Sequence, residues 1–190
     1  AWAYTLSASG IHTVETTLGQ SLLTLEVARV SLDGTVVATD MLRGAVIDES
    51  TVAVDPDGLW VVTAMPPKRP AAHPDQTLTR VTTSGRRVVS PGVRAWSVAS
   101  GDGQTWFVGT THPLPKAPKS QTLDWVLGRV DTRTGKLLGT YHLDLPGDLG
   151  HVIHGPEISL LGVTGGAVWL RTGQGAGTLV RVTVRPTRAN

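Results

Sequence analysis

The sequence repeats with a period of about fifty residues, and this feature restricts the fold more than any other. Four short apolar runs carry a tryptophan at or near their start, at Trp2, Trp60, Trp106 and Trp169. An Arg-Val pair follows each run, and its arginines lie 51, 49 and 52 residues apart, at Arg29, Arg80, Arg129 and Arg181. Spacing this regular, without helical periodicity, predicts a repeat architecture.

Each repeat is expected to contain four short strands, which we name A to D. The tryptophan run is strand B and the Arg-Val run is strand C, because both are rich in aromatic and β-branched residues. Glycine follows strand C at Gly34, Gly85 and Gly135, where it supplies the positive φ that a tight hairpin requires. Strand D follows that glycine, and strand A precedes the next tryptophan. The predicted order along the chain is B-C-D, A-B-C-D, A-B-C-D, A-B-C.

Four antiparallel strands in about fifty residues make one blade of a β-propeller. The predicted fold is therefore all-β: a single β-propeller-like domain over residues 1–190, with about four four-stranded repeats and a complete or partial ring. A β-sandwich of fourteen short strands is the alternative. Both ends of the strand series would leave sheet edges uncovered. We therefore expect a fragment of a larger propeller or a chain completed by another chain, through a protein partner or a homo-oligomer.

The composition excludes several classes of protein. The chain is 40% apolar and 17% charged, which is too apolar for disorder. A net charge of only +2 argues against nucleic-acid binding, and no apolar run is long enough to span a membrane. The absence of cysteine excludes disulfides and thiolate metal sites, but leaves the compartment open. Arginine greatly outnumbers lysine, which suggests a GC-rich bacterial genome. A secreted or membrane-anchored exterior domain is the favoured location, as part of the leading hypothesis on function.

Several side chains are interpreted from their place in the repeat. We expect Trp60, Trp106 and Trp169 to pack between adjacent blades, and the repeated arginines to face solvent or a carboxylate of a neighbouring blade. Trp96 and Trp125 lie outside the repeat position, so they are the better candidates for exposed or ligand-binding aromatics. Proline-rich insertions at 65–76 and 112–121, between strands B and C, are predicted to be surface loops.

The densest cluster of ligand-type residues is His151, His154 and Glu157, in the connection between strands D and A of the last two repeats. Two imidazoles and a carboxylate can bind zinc or act as acid and base, which makes them candidate metal ligands and catalytic residues. Pro156 prevents a helix from aligning them, and the sequence does not identify the further ligands of a zinc site. An ordinary polar loop is the favoured interpretation. No cofactor is expected, and a divalent metal ion is the alternative.

The segments Asp57-Gly58-Leu59-Trp60-Val61-Val62 and Leu127-Gly128-Arg129-Val130-Asp131-Thr132-Arg133-Thr134-Gly135-Lys136, together with Gly155-Pro156-Glu157-Ile158, resemble blades of NHL-like, YVTN-like and streptogramin-lyase-like propellers. The resemblance extends over most of the chain but consists of short, degenerate motifs, so it implies a fold rather than a function. The repeats here are longer and fewer than in those families. Streptogramin lyases use histidine and glutamate with a divalent ion, although their full pattern does not map onto His151, His154 and Glu157.

Three functions follow as hypotheses. The leading one is a non-catalytic recognition or scaffold module that binds a protein or small ligand, so an enzyme is not favoured. The second is a metal-assisted lyase or hydrolase that uses His151, His154 and Glu157. The third is a structural subunit of a larger assembly, in which another chain completes the open edges by strand addition.

Overall fold

The computed structural model describes residues 2–6, 22–31, 33–46, 51–65, 75–82, 84–89, 94–110, 125–143, 158–173 and 177–183. These residues form an all-β structure and contain no helix. The fourteen strands are β1 (Trp2–Leu6), β2 (Leu22–Val30), β3 (Val36–Val46), β4 (Val52–Asp55), β5 (Gly58–Met65), β6 (Asp75–Thr82), β7 (Gly85–Val89), β8 (Arg94–Gly101), β9 (Gln104–Thr110), β10 (Trp125–Val130), β11 (Leu137–His142), β12 (Ile158–Thr164), β13 (Ala167–Thr172) and β14 (Thr178–Thr183).

The strands form small antiparallel sheets in chain order. Strands β8 to β11 make one sheet and β12 to β14 another. The first seven strands are connected, but β3 meets β5 only where Ala45 lies opposite Thr63, so β1–β3 and β4–β7 are two sheets joined at one point. We call the four groups unit 1 (β1–β3), unit 2 (β4–β7), unit 3 (β8–β11) and unit 4 (β12–β14). Their strand order is B-C-D, A-B-C-D, A-B-C-D, A-B-C, as predicted.

Tight turns join strands A and B and strands C and D. Asp102 and Gly103 lie between β8 and β9, Gly165 and Gly166 lie between β12 and β13, and all four have positive φ. Positive φ at both central residues is the conformation of a type I′ hairpin turn, which matches the twist of the paired strands. The glycines predicted for the C–D turns, Gly34, Gly85 and Gly135, also have positive φ.

Each unit packs one face on the next unit. Trp60, Val62 and Leu78 of unit 2 pack against Val98 and Phe107 of unit 3. In the same way Trp106, Val108 and Leu127 of unit 3 pack against Ile158, Leu160, Val168 and Leu170 of unit 4. Because side chains alternate along a strand, the opposite face of unit 2, with Leu59, Val61 and Val81, packs against Val27 and Leu42 of unit 1. We call the tryptophan-bearing face of each unit its Trp face and the opposite one its back face.

Strands A of units 3 and 4 approach each other closely. A Cβ added to Gly101 of β8 would lie 2.0 Å from the carbonyl oxygen of Val163 in β12, so only glycine fits there. The Ser97 hydroxyl accepts a 2.7 Å hydrogen bond from the backbone N–H of Leu160 across the same boundary. Units 3 and 4 are therefore held together by backbone contacts at strand A as well as by apolar packing.

Candidate functional site

The two ends of the sheets differ in their connections. Antiparallel strands alternate in direction, so the tight A–B and C–D turns lie at one end, which we call the turn end. The B–C and D–A connections lie at the other, which we call the connection end. The predicted loops at 65–76 and 112–121 fall at the connection end and lie almost entirely outside the described residues. Candidate residues His151, His154 and Glu157 also belong to a connection at this end, outside the described residues.

Trp96 and Trp125 lie together at the connection end of unit 3. Their ring centroids are 6.4 Å apart with the planes inclined at 53°, and the Trp96 Nε1–H donates to Oγ1 of Thr110 at 3.2 Å. Each side chain is less than 5% exposed and packs in the core between units 3 and 4, so the first of the two predicted alternatives, exposure, is wrong. Ligand binding by these two residues stays a prediction. The Trp125 Nε1–H has no hydrogen-bond acceptor among the described residues.

The connection that carries His151, His154 and Glu157 is attached beside this tryptophan pair. Leu143, the last described residue before it, packs against the same core and donates its N–H to the Trp125 carbonyl at 2.9 Å. Ile158, the first described residue after it, is fully buried in that core. Both attachment points of the histidine segment therefore lie in the core that contains Trp96 and Trp125.

The repeated tryptophan and arginine of each unit lie opposite each other on strands B and C. The register pairs are Trp2 with Arg29, Trp60 with Arg80, Trp106 with Arg129 and Trp169 with Arg181. In the last three pairs the guanidinium carbon lies 5.3, 5.8 and 5.9 Å from the centroid of the indole, which is cation–π geometry. Arg29 and Arg181 are exposed, as one of the two predicted alternatives requires. The pairing with tryptophan was not predicted, although both residue types recur at the same period.

In unit 2 the pair belongs to a buried polar network. Asp55 Oδ2 accepts the Trp60 Nε1–H at 2.7 Å and lies 3.7 Å from Nη2 of Arg80. Arg80 Nη1 donates to the carbonyl oxygen of Arg133 in the C–D turn of unit 3, at 2.8 Å. The predicted reach of an arginine to the neighbouring unit is therefore seen at Arg80, but the acceptor there is a carbonyl group and the carboxylate belongs to its own unit. The ion pair therefore lies within unit 2, and the hydrogen bond from Arg80 to Arg133 links unit 2 to unit 3.

The exposure of each repeated tryptophan depends on whether another unit packs on its Trp face. Trp60 and Trp106 are 0% and 2% exposed, as expected for residues packed between units. Trp169, on the Trp face of unit 4, is half-buried, and Leu179 on the neighbouring strand is 60% exposed. No described residue of another unit covers this face.

Two C–D turns are closed by aspartate. Asp33 accepts hydrogen bonds from the Ser31 hydroxyl and from the Thr35 N–H, which lower the pKa of its carboxyl group. Asp131 accepts from the N–H and the hydroxyl of Thr134, at 2.6 and 2.8 Å, and its pKa is lowered for the same reason. Both carboxylates therefore stabilise their own turns, at the turn end of the sheets, by accepting local hydrogen bonds.

Within the described parts of the chain, no three His, Asp or Glu side chains are grouped as a metal site would require, and no helix could cross a membrane. No family model matches the sequence. A search of curated proteins also finds no significant match.

Proposed function

We propose that this chain is a β-propeller-type recognition module that binds a protein partner at its connection end and performs no chemistry of its own. The main support for this proposal is the difference between the turn end and the connection end of the sheets. The turn end consists of tight hairpins, whereas the long connections, including the proline-rich ones, leave from the opposite end. Binding residues concentrate on loops held by a rigid scaffold, and several long connections that begin and end at the same end of the sheets suit a macromolecular partner.

The propeller geometry is supported by how the units meet. Every unit is an antiparallel meander whose strands pair with their chain neighbours, as in a blade and unlike the crossed connections of a β-sandwich. The close approach at Gly101 and Val163 joins two A strands, which are the innermost strands of a propeller. The resemblance to NHL-like, YVTN-like and streptogramin-lyase-like blades is part of the same proposal.

Partner capture with paired variants tests the proposal. One variant replaces residues 112–121 by a short glycine-serine linker, which alters the connection end alone. The matched control carries Ser84→Ala, in an exposed hairpin at the turn end. Proteins retained on immobilised wild-type chain and on the control, but lost from the linker variant, are the expected result. An identical set of retained proteins on all three would contradict recognition through this connection.

A metal-assisted enzyme is the second candidate, favoured by the attachment of the His151, His154 and Glu157 segment beside the Trp96–Trp125 pair. Replacing all three residues with alanine should leave the circular dichroism spectrum unchanged. If this candidate is correct, zinc bound per chain and turnover should both fall. Equal zinc content in the wild type and the triple variant would exclude it and leave the recognition proposal intact.

A further inference from the structure

The Trp face of unit 4 is an inter-unit surface without a described neighbour. It carries the half-buried Trp169 and the exposed Arg181 and Leu179, which lie at the positions whose counterparts in units 2 and 3 face the following unit. The opposite face of unit 4 is occupied, since Val180 and Val182 pack against the core shared with unit 3. Alternation along β14 therefore leaves one face of the strand covered and the other open.

The back face of unit 1 carries exposed apolar side chains. Val37 and Met41 of β3 are 52% and 45% exposed, and they alternate with Leu42, which is buried against unit 2. In units 2 and 3 the back face packs against the Trp face of the preceding unit. Among the described residues, the Trp face of unit 4 and the back face of unit 1 have no neighbouring unit, whereas three internal boundaries join a Trp face to a back face.

Charge at these two faces is also complementary. At the boundary of units 2 and 3, Arg80 reaches the C–D turn of unit 3, where it binds a carbonyl oxygen. Arg181 of unit 4 occupies the position that corresponds to Arg80 of unit 2. The corresponding turn of unit 1 carries Asp33, whose exposed carboxylate is fixed by Ser31 and Thr35. A unit 1 placed on unit 4 would therefore bring a carboxylate to an exposed guanidinium.

We propose that the Trp face of unit 4 binds the back face of unit 1 in a second copy of this chain, head to tail, with Arg181 paired to Asp33. The contact is heterologous, so two copies can close on each other or further copies can add. It buries apolar surface of Trp169, Leu179, Val37 and Met41 that one copy leaves in water. The contact is independent of whatever binds at the connection end.

Light scattering on the wild-type chain across about a hundredfold dilution tests the contact. We expect an average mass that rises with concentration from one chain to two or more. Arg181→Asp and Asp33→Arg should each shift the association midpoint to a concentration at least about tenfold higher, because each places like charges together. Leu179→Glu should weaken association similarly, whereas Leu138→Glu, at a comparably exposed leucine of unit 3, should not.

In an equimolar mixture of the Arg181→Asp and Asp33→Arg chains, every head-to-tail contact between unlike chains pairs opposite charges, so association should recover in the mixture. Asp33→Asn retains the oxygen that closes the turn, and its unfolding curve serves as the folding control for the charge reversal. A wild-type chain that stays monomeric at every concentration would overturn the proposal, since the occupant would then be another segment or another protein. Association that neither charge reversal alters would overturn it equally.

Discussion

Units 2 and 4 carry the same tryptophan–arginine pair in the same register, yet the two pairs have different surroundings. In unit 2 the indole is completely buried, and the arginine joins a carboxylate of its own unit to a carbonyl group of the next. In unit 4 the indole is half-buried and the arginine is exposed. The difference shows that a repeat of this kind makes the same surface in every unit, and that the neighbouring unit determines whether this surface is core or contact.

The largest contrast is expected on removing the two indoles. Trp60→Ala should lower the free energy of unfolding by about 3–5 kcal/mol, because a large buried side chain leaves a cavity between units 2 and 3. Trp169→Ala should cost about 1–2 kcal/mol, because much of its surface is already in water. Urea unfolding of both variants, at a concentration where the chain is monomeric, measures the difference. Equal losses would mean that unit 4 is covered as fully as unit 2.

Removing the carboxylate of the unit 2 network should be the next largest effect. Asp55→Asn leaves the Arg80 guanidinium buried without its counter-ion, at an expected cost of about 3 kcal/mol. Asp57→Asn, at an exposed position in the same turn, is the matched control and should change stability by less than about 0.5 kcal/mol. The double variant Asp55→Asn with Arg80→Met should recover part of the loss. No recovery would show that the carboxylate acts without the arginine.

Two glycines of strand A, one in unit 3 and one in unit 4, differ in how closely the neighbouring unit approaches them. Gly101→Ala places a methyl group against the Val163 carbonyl and should lower the free energy of unfolding by about 1–3 kcal/mol. Gly162→Ala is the control, since no atom lies within 4 Å of the added Cβ and its φ is not positive. This variant should be neutral or slightly more stable. Thermal unfolding of the pair measures the effect, and equal melting temperatures would contradict the close approach.

The smallest effect concerns the two aspartates of the C–D turns. Their pKa values are lowered in the folded chain, so their stabilisation is complete above the unfolded pKa, near pH 4, and is lost as the pH falls through the folded values. A variant with Asp33→Asn and Asp131→Asn should be slightly less stable than wild type at pH 6, and the difference should vanish at low pH. Urea midpoints at several pH values measure this. A difference independent of pH would exclude the charge as its cause.

Strand number and order could be read from the repeat, because glycine turns and β-branched runs recur at a fixed distance. Register could not, since a period places Trp60 and Arg80 on neighbouring strands without saying which residues lie opposite. Trp96 and Trp125 were expected to be exposed or ligand-binding because they lie outside the repeat position. Both are buried instead, since the connection end of unit 3 also packs in the core shared with unit 4. His151, His154 and Glu157 stay a prediction, because their connection lies outside the described residues.

The accessibility of the individual tryptophans shows whether the Trp face of unit 4 is open in a single chain and covered when chains associate. Oxidative labelling followed by peptide mass spectrometry gives a separate modification rate for Trp60, Trp106 and Trp169 at each protein concentration. We predict rapid labelling of Trp169 in dilute solution, slower labelling of Trp169 as concentration rises, and slow labelling of Trp60 and Trp106 throughout. A Trp169 that is protected as well as Trp60 in the most dilute sample would contradict the account, because the Trp face of unit 4 would then be covered within a single chain.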